Sequence, residues 1–398
     1  MKLLPIEAEH SSYASNTLIA LTPLVGLDAN IIAYRLRTLY GTVTIDDSLM
    51  IAIIQSSYFE RLKGIRDGGQ RHFCLAPEFY TRYDHSLGVF ALVALFGGSR
   101  EEQLAALLHD ISHTVFSHTG GYFFMSMVTG ALQDAMHEQF LVETGLEALL
   151  AEHNLSIAAV DHRRSDFMRV KKAAPDLCAD NIDSILQSAV LDGYSSKQAV
   201  DRLLSHLTFN GSCWYFDDQA AALQCAQLCL VQMCNQWSSP ENIYQCYLMG
   251  CALRRAAEVG LITRDVVVRG TDDAVWDILA KSQDAQIAEY LDIILQWRER
   301  LVISDVVPGV SGTHVVPDKF RGIDPYVLQP NGLLKRLTVL DRTYRRKFEQ
   351  TREIFSRGWV VNVVPARTGR KKIFIKKTVC TTPHGRTGSS KRGGARTA

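Results

Sequence analysis

The sequence lacks several features that would assign it to a common class. No run of about eighteen apolar residues occurs among its 398 residues, so no transmembrane helix is predicted. The first residues lack the apolar segment of a secretory signal. The motifs GxxxxGKS, GxGxxG and GxSxG are absent, so the sequence has no signature of a P-loop, a dinucleotide-binding turn or a hydrolase elbow. With 21% charged and 47% hydrophobic residues, its composition is typical of a soluble globular protein.

Acidic residues are missing from the last part of the chain. Positions 366–398 contain ten Lys or Arg and no Asp or Glu, which leaves 33 basic against 42 acidic residues in the body. The formal net charge of +1 therefore combines a body of −9 with a tail of +10. Such a tail could bind nucleic acid weakly or direct the protein to the nucleus. The same composition is typical of a disordered, solvated tail, and both interpretations stay open.

The nine cysteines form no short repeated spacing of the disulfide-scaffold kind. Cys225, Cys229 and Cys234 lie in one predicted helix, and their spacing is not that of a zinc ribbon or zinc finger. We expect small buried side chains here. Reduced thiols favour a cytoplasmic protein, with a nuclear location as the alternative that the tail suggests.

Most of the chain has the apolar periodicity of α-helices. Gly41–Ile45 alternates and is predicted to be a strand, and Asn210-Gly211 between β-branched and aromatic residues predicts a hairpin. The fold class is therefore mainly α: a helical bundle with small β-hairpin elements and a small C-terminal α+β extension. Helices are predicted at 84–96, 100–110, 136–153, 177–191, 218–236, 241–260 and 272–300.

Shifts in pattern along the chain predict five segments. They are an N-terminal segment at 1–45, a helical core at 46–200, a helical continuation with a hairpin at 201–305, a small α+β element at 306–365 and the basic tail at 366–398. No repeat of 20–50 residues is visible. The core contains all the candidate site residues named below.

Five of the twelve histidines fall between positions 85 and 137. His109-Asp110 ends an apolar helix, where two adjacent polar side chains leave the core together. Neutral imidazoles and carboxylates are ligands for divalent transition metals, and a metal-bound water can attack an electrophile near neutral pH. Short Asp side chains require such ligands to come from several helices that meet at one point. The five histidines are His85, His109, His113, His118 and His137.

A second carboxylate could come from the helix predicted at 177–191. Asp180 and Asp183 share a polar face with Ser184, opposite an apolar stripe. This face could line a site. The alternative is a solvated surface helix with acidic residues near its N-terminus, and the periodicity does not decide between them.

These residues resemble a known family. The segments YFERLKGIRDGG, RYDHSLGV, LLHDISHTVFSH, HEQF and ADNIDSILQSA are similar to those of the HD-domain metal-dependent phosphohydrolases, in particular the deoxynucleoside triphosphate triphosphohydrolase branch. The resemblance covers about residues 40–195. It implies that His85, His109, Asp110 and Asp180 bind a divalent metal ion, which could be Mn, Fe, Zn, Co, Ni or Mg.

The resemblance also implies roles for further residues. His113, His118 and His137 would act on the phosphate or in proton transfer, since histidine pKa values near neutrality suit this role. Arg82 matches a family arginine near the phosphate, and Arg66 could add a second positive group. The substrate-binding candidates are Arg82, Arg66, Asp67, Asp183 and Ser184.

The sequence also departs from the triphosphohydrolases. Asn181 replaces a basic residue that holds polyphosphate, and Ser184 replaces a tyrosine that selects deoxyribose. Because a triphosphate carries about four negative charges, the loss of cationic partners should weaken its binding. Further departures are Asp67 for a glutamine, Gly121 for an acidic residue, Gln187 for an arginine and Ser188 for an aspartate.

Three hypotheses follow from these observations. The first, which we favour, is a metal-dependent phosphohydrolase acting on a phosphoester, in particular that of a nucleotide. The second is a module that senses a nucleotide with little or no turnover, since the substrate pocket is altered. The third is a nucleic-acid-binding protein that acts through its tail. A homo-oligomer is an open expectation, and no membrane partner is expected.

Overall fold

The computed structural model describes residues 18–25, 31–74, 80–124, 129–307, 311–317 and 319–365. The tail at 366–398 lies outside the described residues, and so do the predictions made for it. The described residues up to Val364 belong to one compact unit. Among the described residues, no helix has both the length and the apolar character that a membrane span requires.

A three-stranded antiparallel sheet precedes the first helix. Its strands are β1 (Ala20–Val25), β2 (Ile31–Thr38) and β3 (Gly41–Ile45), in that order. In β2, Arg35 and Arg37 are exposed whereas Leu36 and Thr38 are buried, which is the period of two expected for a strand with one covered face. The predicted strand at 41–45 is confirmed with the same bounds. The two strands before it were not predicted.

Eight helices of the next region carry the candidate site. They are α1 (Ser48–Gln55), α2 (Ser57–Glu60), α3 (Arg82–Leu95), α4 (Arg100–Leu108), α5 (Gly120–Phe123), α6 (Thr129–Glu143), α7 (Leu146–Glu152) and α8 (Ala179–Leu191). The Thr81 hydroxyl accepts the Asp84 N–H, while the Asp84 carboxylate accepts the Thr81 N–H. This capping box fixes the first turn of α3, which contains Arg82 and His85.

The described residues of the second half of the chain add nine α-helices and seven short strands. They are α9 (Lys197–Leu204), β4 (Leu207–Phe209), β5 (Trp214–Phe216), α10 (Gln219–Gln232), α11 (Pro240–Glu258), α12 (Arg264–Arg269), α13 (Asp272–Lys281), α14 (Ala285–Leu295), α15 (Trp297–Arg300), β6 (Leu301–Asp305), β7 (Thr313–Val315), β8 (Tyr326–Leu328), β9 (Leu334–Arg336), α16 (Leu337–Leu340), α17 (Arg342–Arg357) and β10 (Trp359–Val363). The fold class, mainly α with small β elements, is confirmed.

Two small sheets close the described part of the fold. Strands β4 and β5 form the predicted antiparallel hairpin, in which the Asn210 side chain accepts the N–H groups of Ser212 and Cys213. This hairpin joins β8 and β9 in the order β4-β5-β8-β9, with β5 parallel to β8. The other sheet is antiparallel, in the order β6-β10-β7.

The single helix predicted at 272–300 is wrong, because the structure divides this segment into α13, α14 and α15. The Asp284 side chain accepts the N–H groups of Gln286 and Ile287 and so begins a new helix. Aspartate at this position is a strong N-terminal signal, and it interrupts an otherwise continuous apolar stripe.

The buried side chains form two clusters. One lies under the N-terminal sheet and among α1, α3, α4, α8 and α10, and it includes Cys225 and Cys229, as expected for small apolar side chains. The other lies among α11, α13 and α14 and includes Ile65, Val115 and Phe116. Because these three residues come from segments next to the candidate site, the site is supported by both clusters.

Candidate metal centre

Three ligand atoms from three helices converge at one point. The Nε2 atom of His85 on α3 lies 3.2 Å from Nε2 of His109, which follows α4, and 3.2 Å from Oδ1 of Asp180 on α8. One atom from each residue lies within 4.8 Å of the others. Two ligands about 2.1 Å from one ion, at a right angle, are about 3 Å apart. The spacing of these atoms therefore fits a single divalent ion.

Hydrogen bonds on the far sides of both imidazoles decide which nitrogens face this point. Nδ1 of His109 donates to the carbonyl oxygen of Ala106 at 2.7 Å, and Nδ1 of His85 donates to Oδ2 of Asp183 at 2.7 Å. In the neutral rings both Nε2 atoms therefore present lone pairs. Two lone pairs 3.2 Å apart repel each other, and either a proton on Nε2 of His85 or a metal ion bound by both rings would remove this repulsion.

The electrostatic surroundings of the two rings also favour positive charge at this point. Burial, the largest effect, lowers the pKa of His85, but hydrogen bonds to Asp180 and Asp183 outweigh it and hold this pKa well above its usual range. Burial lowers the pKa of His109 to about 4, so this ring is neutral at neutral pH. A neutral imidazole beside carboxylates is the form that binds a metal ion.

Asp110 lies beside the three converging atoms. Its Oδ2 atom is 3.7 Å from Nε2 of His85 and 2.6 Å from Nη1 of Arg82. Its Oδ1 atom accepts a hydrogen bond from Gln133 at 2.6 Å and lies 3.3 Å from Nε2 of His113. Asp110 thus lies next to the three ligand atoms, its role as a fourth ligand stays a prediction, and Gln133, which the sequence did not indicate, orients its carboxylate.

Asp183 supports His85 from behind. It is fully buried and accepts hydrogen bonds from His85, from the Tyr40 and Tyr80 hydroxyls and from Gln187. The predicted polar face of α8 is therefore buried at Asp183 and half-buried at Asp180 and Ser184, so the fully solvated alternative is wrong. Protein donors occupy both oxygens of Asp183, and its contact with substrate stays a prediction. Carboxylates in this position fix the tautomer of a ligating histidine.

Gly88 makes this support possible. A Cβ atom at position 88 would lie 1.9 Å from Oδ1 of Asp183 and 2.9 Å from Nε2 of Gln187. Helices α3 and α8 can therefore approach closely enough for the Asp183–His85 bond only because position 88 has no side chain. The glycine of the RYDHSLGV segment thus serves the site, a role that the sequence did not indicate.

Arg82 connects the metal ligands with the loop that follows α4. Its guanidinium bonds to Asp110, to Asp67 at 3.0 Å and to the Ser117 hydroxyl, and its Nη2 donates to Nε2 of His118 at 3.1 Å. In the neutral ring the proton of His118 is therefore on Nδ1, which has no hydrogen-bond partner among the described residues. This buried N–H is available to an acceptor.

The three histidines predicted to act on the phosphate do not share one environment. Burial and then the charge of Arg82 lower the pKa of His113, and they lower that of His118 far below its usual range. Burial and then His162 lower the pKa of His137 to about 3. The expectation of near-neutral pKa values is wrong for all three, because burial favours the neutral rings. Their roles stay predictions, with neutral imidazoles as the groups concerned.

Gly270, after α12, and Asp272, at the start of α13, hold in place the loop that contains His113 and His118, here called the histidine loop. Buried Asp272 accepts the N–H of Phe116 at 2.6 Å and that of Arg66 at 2.9 Å. The Arg61 guanidinium donates to the carbonyl oxygens of Ile111, His113 and Gly270. Phe116 and Ser117 both have left-handed backbone conformations, with φ of 55° and 57°. These bonds stabilise a strained turn between His113 and His118.

Helix α6 supplies a second group of polar side chains. His137 is buried, and the closest partner of its Nδ1 is the Ser112 hydroxyl at 3.5 Å. One turn earlier, Oδ1 of Asp134 lies 3.2 Å from Nε2 of His162 and 2.9 Å from Nζ of Lys171. The His162 ring lies 4.8 Å from that of His137 and 6.4 Å from that of His109, centroid to centroid.

The remaining sequence candidates lie further from the ligand atoms or have structural partners. Arg66 pairs with Asp273 at 2.9 Å, and Ser184 is half-buried on α8, so their contact with substrate stays a prediction. Asn181 begins α8: it accepts the N–H of Cys178 and donates to the carbonyl of Asp176. Its side chain is therefore part of a helix cap and does not replace the lost cation.

Residues 82–183 match the HD domain family. An uncharacterized protein of Bacillus subtilis is 28% identical over 304 residues, 76% of this chain and 91% of the relative. A metal-dependent phosphohydrolase of Cordyceps militaris is 28% identical over 254 residues, 62% of this chain and 73% of the relative. The HD family implies a divalent metal ion, and His85, His109 and Asp180 could bind it.

Part of the chain is also similar to a triphosphohydrolase. A deoxynucleoside triphosphate triphosphohydrolase of Xenopus laevis is 25% identical over 131 residues, which is 27% of this chain and 21% of the relative. A solved structure, a phosphohydrolase from Bacteroides thetaiotaomicron, superimposes with a TM-score of 0.61 over 82% of this chain and 97% of that chain. At 13% identity, this match shows a shared fold.

Proposed function

We propose that the chain is a metal-dependent phosphohydrolase that hydrolyses a phosphoester of a nucleotide. The observation that carries this proposal is the convergence of two imidazole nitrogens and a carboxylate oxygen on one point, with both Nδ1 atoms already bonded elsewhere. The phosphohydrolase name of the Cordyceps relative and the partial match to a triphosphohydrolase support it.

The protein's own groups have distinct roles in this reaction. His85, His109, Asp180 and Asp110 would hold the ion. When bound, a divalent ion supplies an acidified water and polarises a phosphoryl oxygen. Arg82 donates to Nε2 of His118, so the proton of this ring is on the buried Nδ1, which can donate to a phosphoryl oxygen. Arg82 keeps the ring of His118 and the carboxylate of Asp110 in fixed relation, because it bonds to both.

The charge balance around the centre favours a substrate with less charge than a triphosphate. Five carboxylates bond within the network, and the Lys and Arg side chains bonded to them are Arg82 and Lys171; the carboxylates are those of Asp67, Asp110, Asp134, Asp180 and Asp183. Asn181 and Gln187, at two positions where triphosphohydrolases have cations, are engaged in structural hydrogen bonds. We therefore propose a nucleotide monophosphate or cyclic nucleotide as the preferred substrate.

The test is a substrate panel with metal analysis of the full-length protein. Phosphate release is measured on nucleoside monophosphates, cyclic nucleotides, NTPs and dNTPs, after purification and after addition of Mn, Fe, Co, Ni, Zn or Mg. We expect turnover with one of these metals and higher kcat/KM on monophosphates than on triphosphates. A protein that binds metal but turns over nothing in the panel contradicts the proposal.

Two variants separate catalysis from nucleotide sensing. His109→Ala and Asp110→Ala should abolish metal-dependent turnover, because each removes a proposed ligand. Stoichiometric nucleotide binding by the wild type, with no product after hours, would favour the sensing hypothesis instead. Residual turnover that is equal in wild type and both variants would indicate a contaminating phosphatase.

A further inference from the structure

His162 lies beside the metal centre but outside every motif that the sequence analysis used. It comes from the loop between α7 and α8, and it is 1% exposed. Its ring lies 6.4 Å from that of the proposed ligand His109 and 4.8 Å from that of His137. An imidazole from a separate loop therefore completes one wall of the histidine cluster.

The loop that carries His162 is held firmly against α6. The Arg163 guanidinium donates to Asp161 at 2.7 Å and to the backbone carbonyl of Asp134 at 3.0 Å. Lys171 donates to Oδ1 of Asp134 at 2.9 Å, so this carboxylate is fixed from a second direction. The position of the His162 ring thus depends on several bonds.

The hydrogen bond to Asp134 determines which ring nitrogen of His162 is unprotonated. Oδ1 of Asp134 lies 3.2 Å from Nε2 of His162, and a carboxylate can only accept, so Nε2 carries the proton. The Nδ1 atom of the neutral ring then presents a lone pair. Nδ1 is buried and has no hydrogen-bond partner among the described residues. A buried acceptor without a partner costs free energy, so we expect a donor to bind to Nδ1 of His162 when the site is occupied.

We propose that Nδ1 of His162 accepts a hydrogen bond from the water that attacks the phosphoester, with Asp134 and Lys171 as positioning residues. The inference rests on the proposed function. It gives the water an acceptor from the loop packed against α6, whereas the unpartnered N–H of His118 is a donor. The two imidazoles then have different roles: His118 donates to the phosphoryl group and His162 orients the nucleophile.

Two substitutions separate this role from a structural one. In His162→Asn the side-chain oxygen takes the place of Nδ1, which keeps the acceptor but loses the bond to Asp134. In His162→Gln the amide nitrogen takes the place of Nε2, which keeps the bond to Asp134 but loses the acceptor. We expect kcat to fall about 10- to 100-fold in the Gln variant and less in the Asn variant, with KM little changed.

The control is His206→Gln, because His206 also pairs with an aspartate, Asp217 at 2.7 Å, but is exposed on a distant hairpin. Its kcat should equal that of the wild type. The Kd for Mn²⁺, measured by calorimetry, should stay within about twofold in both His162 variants, which separates an effect on water from an effect on the metal ligands. Asp134→Asn should lower kcat without changing this Kd.

Several outcomes would overturn the proposal. A Gln variant more active than the Asn variant would show that the bond to Asp134 is what matters. A change in KM alone, or a loss confined to substrates with a 2′-hydroxyl, would assign His162 to substrate binding. Full activity in both variants, with an active wild type, refutes the inference and leaves the proposed function intact. An inactive wild type overturns both.

Discussion

Replacing Asp183 by Asn tests whether the carboxylate behind His85 tunes metal binding. Asn keeps the size of the side chain, and its one oxygen can still accept the N–H of His85. The acceptor of this hydrogen bond is then a neutral amide oxygen instead of a charged carboxylate. Charge-assisted hydrogen bonds contribute about 1.5–3 kcal/mol and neutral ones about 0.5–1.5 kcal/mol, so the difference is about 1–1.5 kcal/mol. Because 1.4 kcal/mol is a factor of ten, the Kd for the metal should rise about tenfold.

The assay is titration of metal-free protein with Mn²⁺ by calorimetry at one pH. Asp180→Asn, which alters a proposed ligand, should raise the Kd far more than Asp183→Asn does. Asp201→Asn removes an exposed carboxylate that pairs with Lys197, and it should leave the Kd unchanged. An unchanged Kd in Asp183→Asn would refute the reasoning, and so would a rise as large as that in Asp180→Asn.

Three further predictions follow. Gly88→Ala brings a Cβ atom to 1.9 Å from Asp183, so we expect the free energy of unfolding, measured in urea, to fall by about 1–3 kcal/mol and Mn²⁺ to bind more weakly. Gly332→Ala, where a Cβ atom meets open space, should leave Mn²⁺ binding unchanged. Asp272→Ala leaves two buried N–H groups without an acceptor and should lower the free energy of unfolding by about 2–6 kcal/mol at low pH, whereas neighbouring Asp273→Ala should lower it by about 0–1 kcal/mol. Burial raises the pKa of Asp272 to about 6, so the folded state favours the protonated carboxyl group. The loss of unfolding free energy in Asp272→Ala should therefore shrink by about 1.4 kcal/mol per pH unit between about pH 4 and pH 6. A loss that grows with pH would contradict this reasoning. A chelator should lower the melting temperature of the wild type, since a ligand at about 1,000 times its Kd stabilises by about 4 kcal/mol, and it should leave His109→Ala unchanged.

The sequence was most informative where chemistry and local pattern coincide. His85 and His109 are residue types that suit a metal ion, and the resemblance to the HD-domain phosphohydrolases implied them as ligands together with Asp180; the structure brings the three together although 95 positions separate the first from the last. The strand at 41–45 and the hairpin at Asn210 follow from alternation and turn chemistry, which act over a few residues.

The supporting residues were not predictable in the same way. Gln133, Asp134, His162 and Lys171 follow no motif, and each acquires its partner only when α6 and the loop before α8 come together. Asn181 was interpreted only through the family pattern, in which a basic residue has this position. In the structure its side chain caps a helix. Single positions in a pattern do not reveal which of two tasks a side chain performs.

The bonds that hold the histidine loop have a practical consequence for dividing this protein. The HD match ends at residue 183, yet Val115 donates its N–H to Val267, Phe116 donates to Asp272, and Arg61 joins Gly270 to the loop. An excised fragment 82–183 would carry the metal ligands but would expose these backbone groups and the apolar faces of Val115 and Phe116. Fragments intended for expression, crystallisation or domain fusion should therefore retain the chain from the first strand through α14.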